Sequence, residues 1–512
     1  MKKYLIAIIA FFILYLFTIF LNNYPTFYAA KKIPSGFIYS GHASWFDPWD
    51  LNVYLSSIRY GQKHGLLLKN LYTTNDKKPI IMYPAYTILG MLFPNSSIFH
   101  LYYFFQFITI FIIIVSLIYS SFVFLKDIKL SFITILLVTI SRGYGWLFIN
   151  TFKSPDLFVT GFAFRSSFQR PHEGIGMVLY ILAFTFLYSF LITNRGKYFI
   201  LSFFCNIIQI FFYPYYYVNY LLIFSIFILF TNKSTNKIMS LTMSGTVLAI
   251  LSFIYYISIY NSGFASDLAE QQPTISPLGL LSGYGIYLPI FLFCFFSLKN
   301  KIENRPLIFL CLWVFISLLL SYFPLGFSRF YLRGLYFPLI IITLITIKNF
   351  IQQKKITVPI LGFFAGLYII SIIPSTLYIF YKRLNEANLT NNINGWYYLP
   401  KDYFDAFKFL DKLPNDGVLS DYWIGNHIPV FTNKSVYLGH LIQTPNAKER
   451  TKQIQEFFSN QYSPTQAKTF LTENHINYIF YGLQERQYGK INYDFIKSIY
   501  TKKDVTILKV LK

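Results

Sequence analysis

The chain has 512 residues, 55% hydrophobic, 21% aromatic and only 13% charged, where a soluble globular domain carries roughly 25% charged residues; with a mean hydropathy of +0.46, this excludes a soluble protein. The formal net charge of +23 raises nucleic acid as a partner, but much of the Lys and Arg lies in short connections between apolar runs. There it fixes membrane topology, and nucleic acid is set aside.

Taken in order, Tyr4 to Leu21 is an apolar run behind Met1-Lys2-Lys3, longer than a signal-peptide core of about 7 to 15 residues. It reads as a retained first span with the N-terminus in the cytoplasm. The stretch 22–97 is then a first external loop. Within it Asp47-Pro48-Trp49-Asp50 has the form of a helix start, with Asp47 as N-cap, Pro48 at the first helical position and Asp50 in the place of a capping-box acid. The helix is expected to run to Tyr60 and stop at Gly61. Asp50, Tyr54 and Ser57 share one face and Leu51, Leu55 and Ile58 the other, the pattern of a helix lying on a membrane surface. The apolar segment 79–93, broken by Pro84 and Gly90, is too short for a full span and suits a re-entrant or juxtamembrane helix.

Ile98 to Leu125 and Leu130 to Ile140 form the next two spans, joined by a cytoplasmic turn at Lys126-Asp127-Ile128-Lys129. A second external loop from Asn150 to Gly176 collects Lys153, Asp156, Arg165, Arg170, His172 and Glu173, against the positive-inside trend. Eight further runs follow near 177–193, 198–213, 216–231, 238–260, 284–298, 306–322, 335–347 and 356–373. Their cytoplasmic connections hold Arg195 and Lys197, Lys233 and Lys237, Lys299, Lys301 and Arg305, then Lys348, Lys354 and Lys355. That makes about eleven spans and leaves the C-terminus outside. The expected architecture is therefore an α-helical polytopic membrane domain over 1–380 and a small external α/β domain over 381–512. In the latter, helices are expected at Tyr403 to Leu413, Lys448 to Phe458 and from Ser463, and short strands at Val418-Leu419, Ser435 to Leu438, Tyr478 to Tyr481 and Val505 to Val510.

Three groups of residues carry chemistry. Asp50 is a candidate general base: deprotonating an acceptor hydroxyl calls for a carboxylate on a rigid element, partly desolvated, while the helix N-terminus pulls its pKa the other way. Asp47 competes for the same role, its bland alternative being a plain N-cap. The second group is Arg329 and Arg333 in Phe323 to Gly334; guanidinium suits a phosphate because it donates paired hydrogen bonds, and a helix would put two arginines four apart on one face. Interfacial anchoring is the alternative for each. The third is Arg170-Pro171-His172-Glu173, a cation, a titratable ring and an acid, able to hold a phosphate or an acceptor or simply to be solvated. His440, with Gly439 and Thr444, reads as a loop-packing histidine rather than a site. Cys205, Cys294 and Cys311 fall inside apolar runs and build neither a disulfide framework nor a metal site, and no histidine pairing or glycine-rich nucleotide loop is present.

The first span, the external loop with an acid before Asp50-Leu51-Asn52-Val53-Tyr54-Leu55-Ser56, and the segment Lys78-Pro79-Ile80 to Gly90 together resemble the membrane-embedded glycosyltransferases of the type C fold. That group includes protein O-mannosyltransferases and lipid A aminoarabinose transferases. The chain departs from many relatives in separating its acids by Pro48-Trp49 and in having one proline at Pro79. The resemblance implies transfer of a sugar from a polyprenyl-phosphate donor to a protein, lipid or glycan acceptor on the extracytoplasmic side of the cell membrane. It further implies the first-loop acid, Asp50 with Asp47 as its rival, as base or acceptor-positioning group, and Arg329 and Arg333 at the donor phosphate; from the residues themselves Arg170 is added as a phosphate candidate and Tyr54, His172 and Glu173 as candidate substrate contacts. Some relatives require a divalent cation and others none. A transporter or flippase for a lipid-linked or anionic substrate is the alternative. Transporters show internal repeats and broken or charged helices near the midplane, whereas here no clear repeat is found and the spans after Met177 are nearly free of charge.

Overall fold

The computed structural model describes residues 2–44, 47–75, 77–231, 234–264, 274–298, 304–324, 327–353, 357–388 and 393–511. Lys233, Lys299, Lys301, Lys354 and Lys355, expected to mark cytoplasmic connections, lie outside them, as do Leu325 and Gly326 of the arginine-bearing stretch.

The chain runs α1 (Lys2–Lys31), β1 (Phe37–Tyr39), α2 (Pro48–His64), α3 (Pro84–Leu92), α4 (Ile98–Leu125), α5 (Ile128–Ile140), α6 (Pro155–Phe158), α7 (Arg165–Gln169), α8 (Pro171–Thr193), α9 (Gly196–Gln209), α10 (Tyr216–Ile228) and α11 (Thr235–Asn261). It continues through α12 (Pro277–Tyr284), α13 (Tyr287–Phe296), α14 (Arg305–Ser321), α15 (Tyr336–Gln352) and α16 (Val358–Asn388). The apolar runs read from the sequence are helical over most of their described residues. Among the described residues seven helical stretches are long and apolar enough to cross a membrane, and the pair α12–α13, bent by 109° at its break, makes up to eight. The other runs are shorter: α9, α10 and α14 have 14, 13 and 17 residues, which at about 1.5 Å per residue fall short of a hydrocarbon core of about 30 Å. The protein is a polytopic helical membrane protein.

The residues divide into two compact units: Met1–Tyr24, Phe105–Tyr255 and Gln271–Arg383 in the first, Pro25–Phe104, Tyr256–Glu270 and Leu384–Lys512 in the second. The first-loop segment thus belongs to the same unit as the C-terminal segment.

In the first unit, α8, α10 and α14 are locked together by a buried polar knot. Trp313 Nε1 donates to Tyr180 Oη at 2.9 Å, and Asn219 Nδ2 donates to Tyr180 Oη and to Ser317 Oγ, both at 2.7 Å. The Trp313 ring stacks on Phe184 at 4.4 Å. In an apolar surround such groups must satisfy one another, since no water is there to do it.

In the second unit the C-terminal segment forms β2 (Tyr398–Pro400), α17 (Lys401–Asp411), β3 (Gly417–Leu419), α18 (Tyr422–Thr432), α19 (Ala447–Phe458), α20 (Pro464–Glu473), β4 (Ile476–Tyr481), α21 (Leu483–Arg486), β5 (Ile496–Lys502) and β6 (Val505–Val510). The sheet order is β3-β4-β6-β5, with β3 parallel to β4 and the other pairs antiparallel. Helix α18 and strand β5 had no counterpart in the sequence reading, and the expected strand at 435–438 is only a bridge, Val418 to Val436. Ser463 and Gln466 do form the expected capping box on α20.

The first-loop segment is stitched to this C-terminal part. β1 pairs antiparallel with β2, Val436 N donates to Leu71 O at 2.8 Å, and Arg59 forms an ion pair with Asp411 at 2.8 Å. Helix α2 is buried along most of its length, Leu51 to Ile58 included, between α3 and α18, so it is not a helix lying on a membrane surface. It also passes through Gly61 and ends at Gly65, which takes φ +91°. Gly61 is not a stop but a point of close approach: a Cβ there would overlap the Thr87 backbone of α3, and one on Gly90 would overlap the Ile58 backbone of α2.

Candidate functional site

Asp47 stands at the N-cap of α2 with Pro48 behind it, yet its side chain makes no capping hydrogen bond. Three residues on, Asp50 Oδ1 lies 3.0 Å from His440 Nε2; the imidazole is 3% exposed and the carboxylate 18%. The backbone N–H of Gln443 donates to His440 Nδ1 at 3.3 Å. An accepting Nδ1 assigns the ring hydrogen to Nε2, so the imidazole donates to Asp50. Gln443 is itself anchored, its Nε2 donating to Tyr83 Oη at 3.2 Å. Tyr83, the residue before α3, is held in the left-handed region at φ +49°, a conformation a bulky residue keeps only where its surroundings impose it.

Beside this pair runs a buried polar row. His42 bridges Ser40 Oγ, 2.7 Å from Nδ1, and Asn52 Oδ1, 3.0 Å from Nε2. Asn52 Nδ2 donates to Asn426 Oδ1 on α18, and Asn426 Nδ2 donates to the Gly439 carbonyl at 3.3 Å, next to His440. Burial pushes the His42 imidazole down to about 3, with the His427 ring adding to the effect, and pushes His427 down to about 4. The row fixes the N-terminal turn of α2 against α18 and so fixes where Asp50 points. Tyr54, one turn beyond Asp50, is buried and stacks on Tyr86 at 5.0 Å with Tyr83 edge-on at 5.5 Å; it braces α2 on α3.

Among the described residues no three His, Cys, Asp or Glu side chains group to hold a metal ion. Asp50 and His440 do meet, but there the imidazole presents its N–H to the carboxylate rather than a lone pair to a cation. These residues do not fit a divalent-cation cradle.

The first unit holds the cationic group. Arg170 is the N-cap residue of α8 and Glu173 lies in its first turn, where an acid is favoured. Glu173 Oε1 accepts from Arg170 Nη1 at 3.2 Å and pairs with Arg333 Nη2 at 3.5 Å, all three side chains being less than 10% exposed. His172 is buried beside them. Arg329 and Arg333 do not share an α-helical face: Ser328–Leu332 is a 3₁₀ turn and Arg333 follows it in extended backbone. What they share is the Phe330 ring, with guanidinium carbons 5.3 Å and 4.4 Å from its centroid, Arg333 also lying 5.0 Å from Tyr213. Two guanidinium groups on one carboxylate leave the group positive, and Arg329 is half-buried. Of the other loop charges, Asp156 is structural: its carboxylate accepts from Gly143 N at 3.1 Å and Ser154 Oγ at 2.6 Å, and burial pushes its pKa up.

No family model and no curated protein matches the sequence. Solved structures do match in shape. The archaeal oligosaccharyltransferase AglB from Archaeoglobus fulgidus, in complex with an inhibitory peptide and a dolichol-phosphate, superimposes with a TM-score of 0.55 at 10% identity, over 94% of this chain and 70% of that one. The fold is that of the type C membrane glycosyltransferases. The A. fulgidus oligosaccharyltransferase tethered with an acceptor peptide containing the NVT sequon gives 0.56 at 12% identity over 93% and 69% of the two chains. The same enzyme in complex with Zn and sulfate gives 0.57 at 11%, over 93% and 68%. At such identities the likeness speaks for the type C fold and leaves the chemistry to the residues of this chain.

Proposed function

We propose that the protein is an integral-membrane glycosyltransferase that moves a sugar from a polyprenyl-phosphate-linked donor to an acceptor on the extracytoplasmic side, with Asp50 as general base. The observation that carries this reading is the Asp50–His440 pair: a partly exposed carboxylate on a rigid, buried helix, oriented by an imidazole whose tautomer is itself fixed. The type C fold, found with a dolichol-phosphate and with acceptor peptides in its solved neighbours, supports a lipid-phosphate donor.

In the reaction Asp50 takes the proton of the acceptor nucleophile as that atom bonds to the anomeric carbon. The bond from that carbon to the phosphate oxygen breaks, and its electron pair leaves on the lipid phosphate. Fixed cations favour the charge that develops there, and we assign this to Arg329, Arg333 and Arg170. Glu173 then orients two of those guanidinium groups, with His172 beside it. Tyr54 supports Asp50 through α2, and Asp47 opens the helix that carries it. Aromatic faces under Arg329 and Arg333 hold the cations without neutralising them.

The test is incubation of purified protein, in lipid, with a panel of radiolabelled polyprenyl-phosphate sugars. Release or transfer of sugar is expected. Movement of an unchanged substrate across sealed vesicles, with no covalent product, would instead establish the transporter alternative.

A further inference from the structure

The second unit contains a cleft that the proposed chemistry does not use. It has a volume of about 750 Å³, within the range of about 300 to 1,000 Å³ typical of ligand sites. The far end of α2 supplies Tyr60 and His64 to its wall, ten and fourteen residues beyond Asp50, or about 15 to 21 Å along the helix. Helix α20 and the turn into β4 also line it, with Lys468, Thr472 and His475. Gly417 forms part of the floor because β3 runs so close there that a Cβ would overlap the His475 carbonyl.

The chemistry of the lining is specific. Lys69 and Lys468 outnumber the one carboxylate, Asp416; two imidazoles, hydroxyls, carboxamides and the Tyr60 ring add hydrogen-bonding and aromatic surface, and Leu71, Leu471, Ile476, Val510 and Leu511 supply aliphatic walls. His64 packs over Tyr60 at 4.5 Å, giving a ring surface beside hydrogen-bonding groups. Thr74 Oγ1 is buried in the lining with no hydrogen-bond partner among the described residues, a state that costs about 1 to 3 kcal/mol unless a ligand or water relieves it. A second cleft of about 680 Å³ shares Lys468 and Thr472 and carries the acids Glu473 and Asp494. Negative charge on a ligand is therefore favoured in the first cleft, and neutral hydroxyls in the second.

We propose that this double cleft is a non-catalytic binding site for an acidic oligosaccharide, its carboxylate or phosphate lying between Lys468 and His475 and its neutral sugars extending along α20. Hydroxyl-rich rings suit the Asn, Thr and Ser lining, and Tyr60 with His64 offers a stacking face. The assignment stands apart from the transferase reading, since it needs neither donor nor turnover.

The experiment is calorimetric titration of the full-length protein in nanodiscs with three probes: tetragalacturonate, phosphorylated maltotetraose and plain maltotetraose. At least one acidic probe is expected to bind, more weakly as salt is added, and plain maltotetraose at least about tenfold more weakly, the loss of one charge-assisted contact. Lys468 and Thr472 are exposed, so Lys468→Glu and Thr472→Trp leave the fold intact. The first should weaken acidic binding by about fivefold or more, and the second should block it. Which acidic probe binds identifies the charged group. Failure of both acidic probes, or binding indifferent to both substitutions, would overturn the assignment whatever the donor assays show.

Discussion

His440 Nε2 donates to Asp50 Oδ1 at 3.0 Å across 390 residues of sequence, and Gln443 N–H on His440 Nδ1 makes that the tautomer present. The C-terminal segment thus supplies the group that aims the carboxylate. His440→Ala should lower kcat by about 10- to 100-fold, the usual effect of losing an orienting partner, with KM little changed. His440→Gln, whose amide can still donate to Asp50, should recover part of the loss. Steady-state kinetics on the three proteins, with circular dichroism to confirm folding, decides it. Equal activity in all three would reduce His440 to packing.

Acid should loosen the second unit. His42 and His427 are held neutral in the folded state, at about 3 and about 4 against an ordinary value of 6.5. As pH falls below 6.5 the unfolded chain takes up protons that the folded chain refuses. Stability present above that pH is therefore lost on acidification, by about 1.4 kcal/mol per pH unit for each histidine, until the folded values are reached. Thermal unfolding midpoints from pH 7 to pH 4 should fall, and His427→Gln should flatten the slope. An unchanged slope in the variant would assign the acid sensitivity elsewhere.

Glu173 pairs with both Arg170 and Arg333. Glu173→Gln leaves two buried guanidinium groups without it, a change that typically costs about 3 to 5 kcal/mol. A marked drop in the unfolding midpoint is the expected outcome; no drop would mean that the cations find other partners at no cost.

Gly61 and Gly90 let α2 and α3 touch backbone to backbone. Gly61→Ala puts a methyl group against Thr87, where rigid main chain must move, and should cost about 1 to 3 kcal/mol while shifting α2 and its Asp50. Reduced thermal stability together with reduced turnover is expected, and a neutral variant would show that the helices can separate freely.

Much of this was legible in the sequence because hydropathy and charge report local surroundings. The apolar runs became helical over most of their described residues, Pro48 opened α2, and Ser463 with Gln466 capped α20. What stayed hidden depended on contacts between distant residues. His440 looked like a loop histidine because its partner stands 390 positions earlier, and nothing in the Asn52 or Asn426 neighbourhoods reveals that the two amides meet. Gly61 resembled a helix stop because a glycine needed for close packing and one needed for termination are the same letter. Arg329 and Arg333 kept a shared neighbour, the Phe330 ring, but through a 3₁₀ turn that four-residue spacing does not distinguish from an α-helix. Strand β5, IKSIYTK, was missed because its polar alternation on a sheet edge lacks a strong apolar signal.

The central claim is that Asp50 moves the acceptor proton. The decisive measurement is the single-turnover rate of sugar transfer from a polyprenyl-phosphate donor by the wild type and by Asp50→Asn, both reconstituted in lipid. The asparagine keeps the shape and can still meet His440, but it cannot accept a proton, so the rate should fall by about 10²- to 10⁴-fold with donor affinity retained. Transfer at the wild-type rate by folded Asp50→Asn would contradict the account.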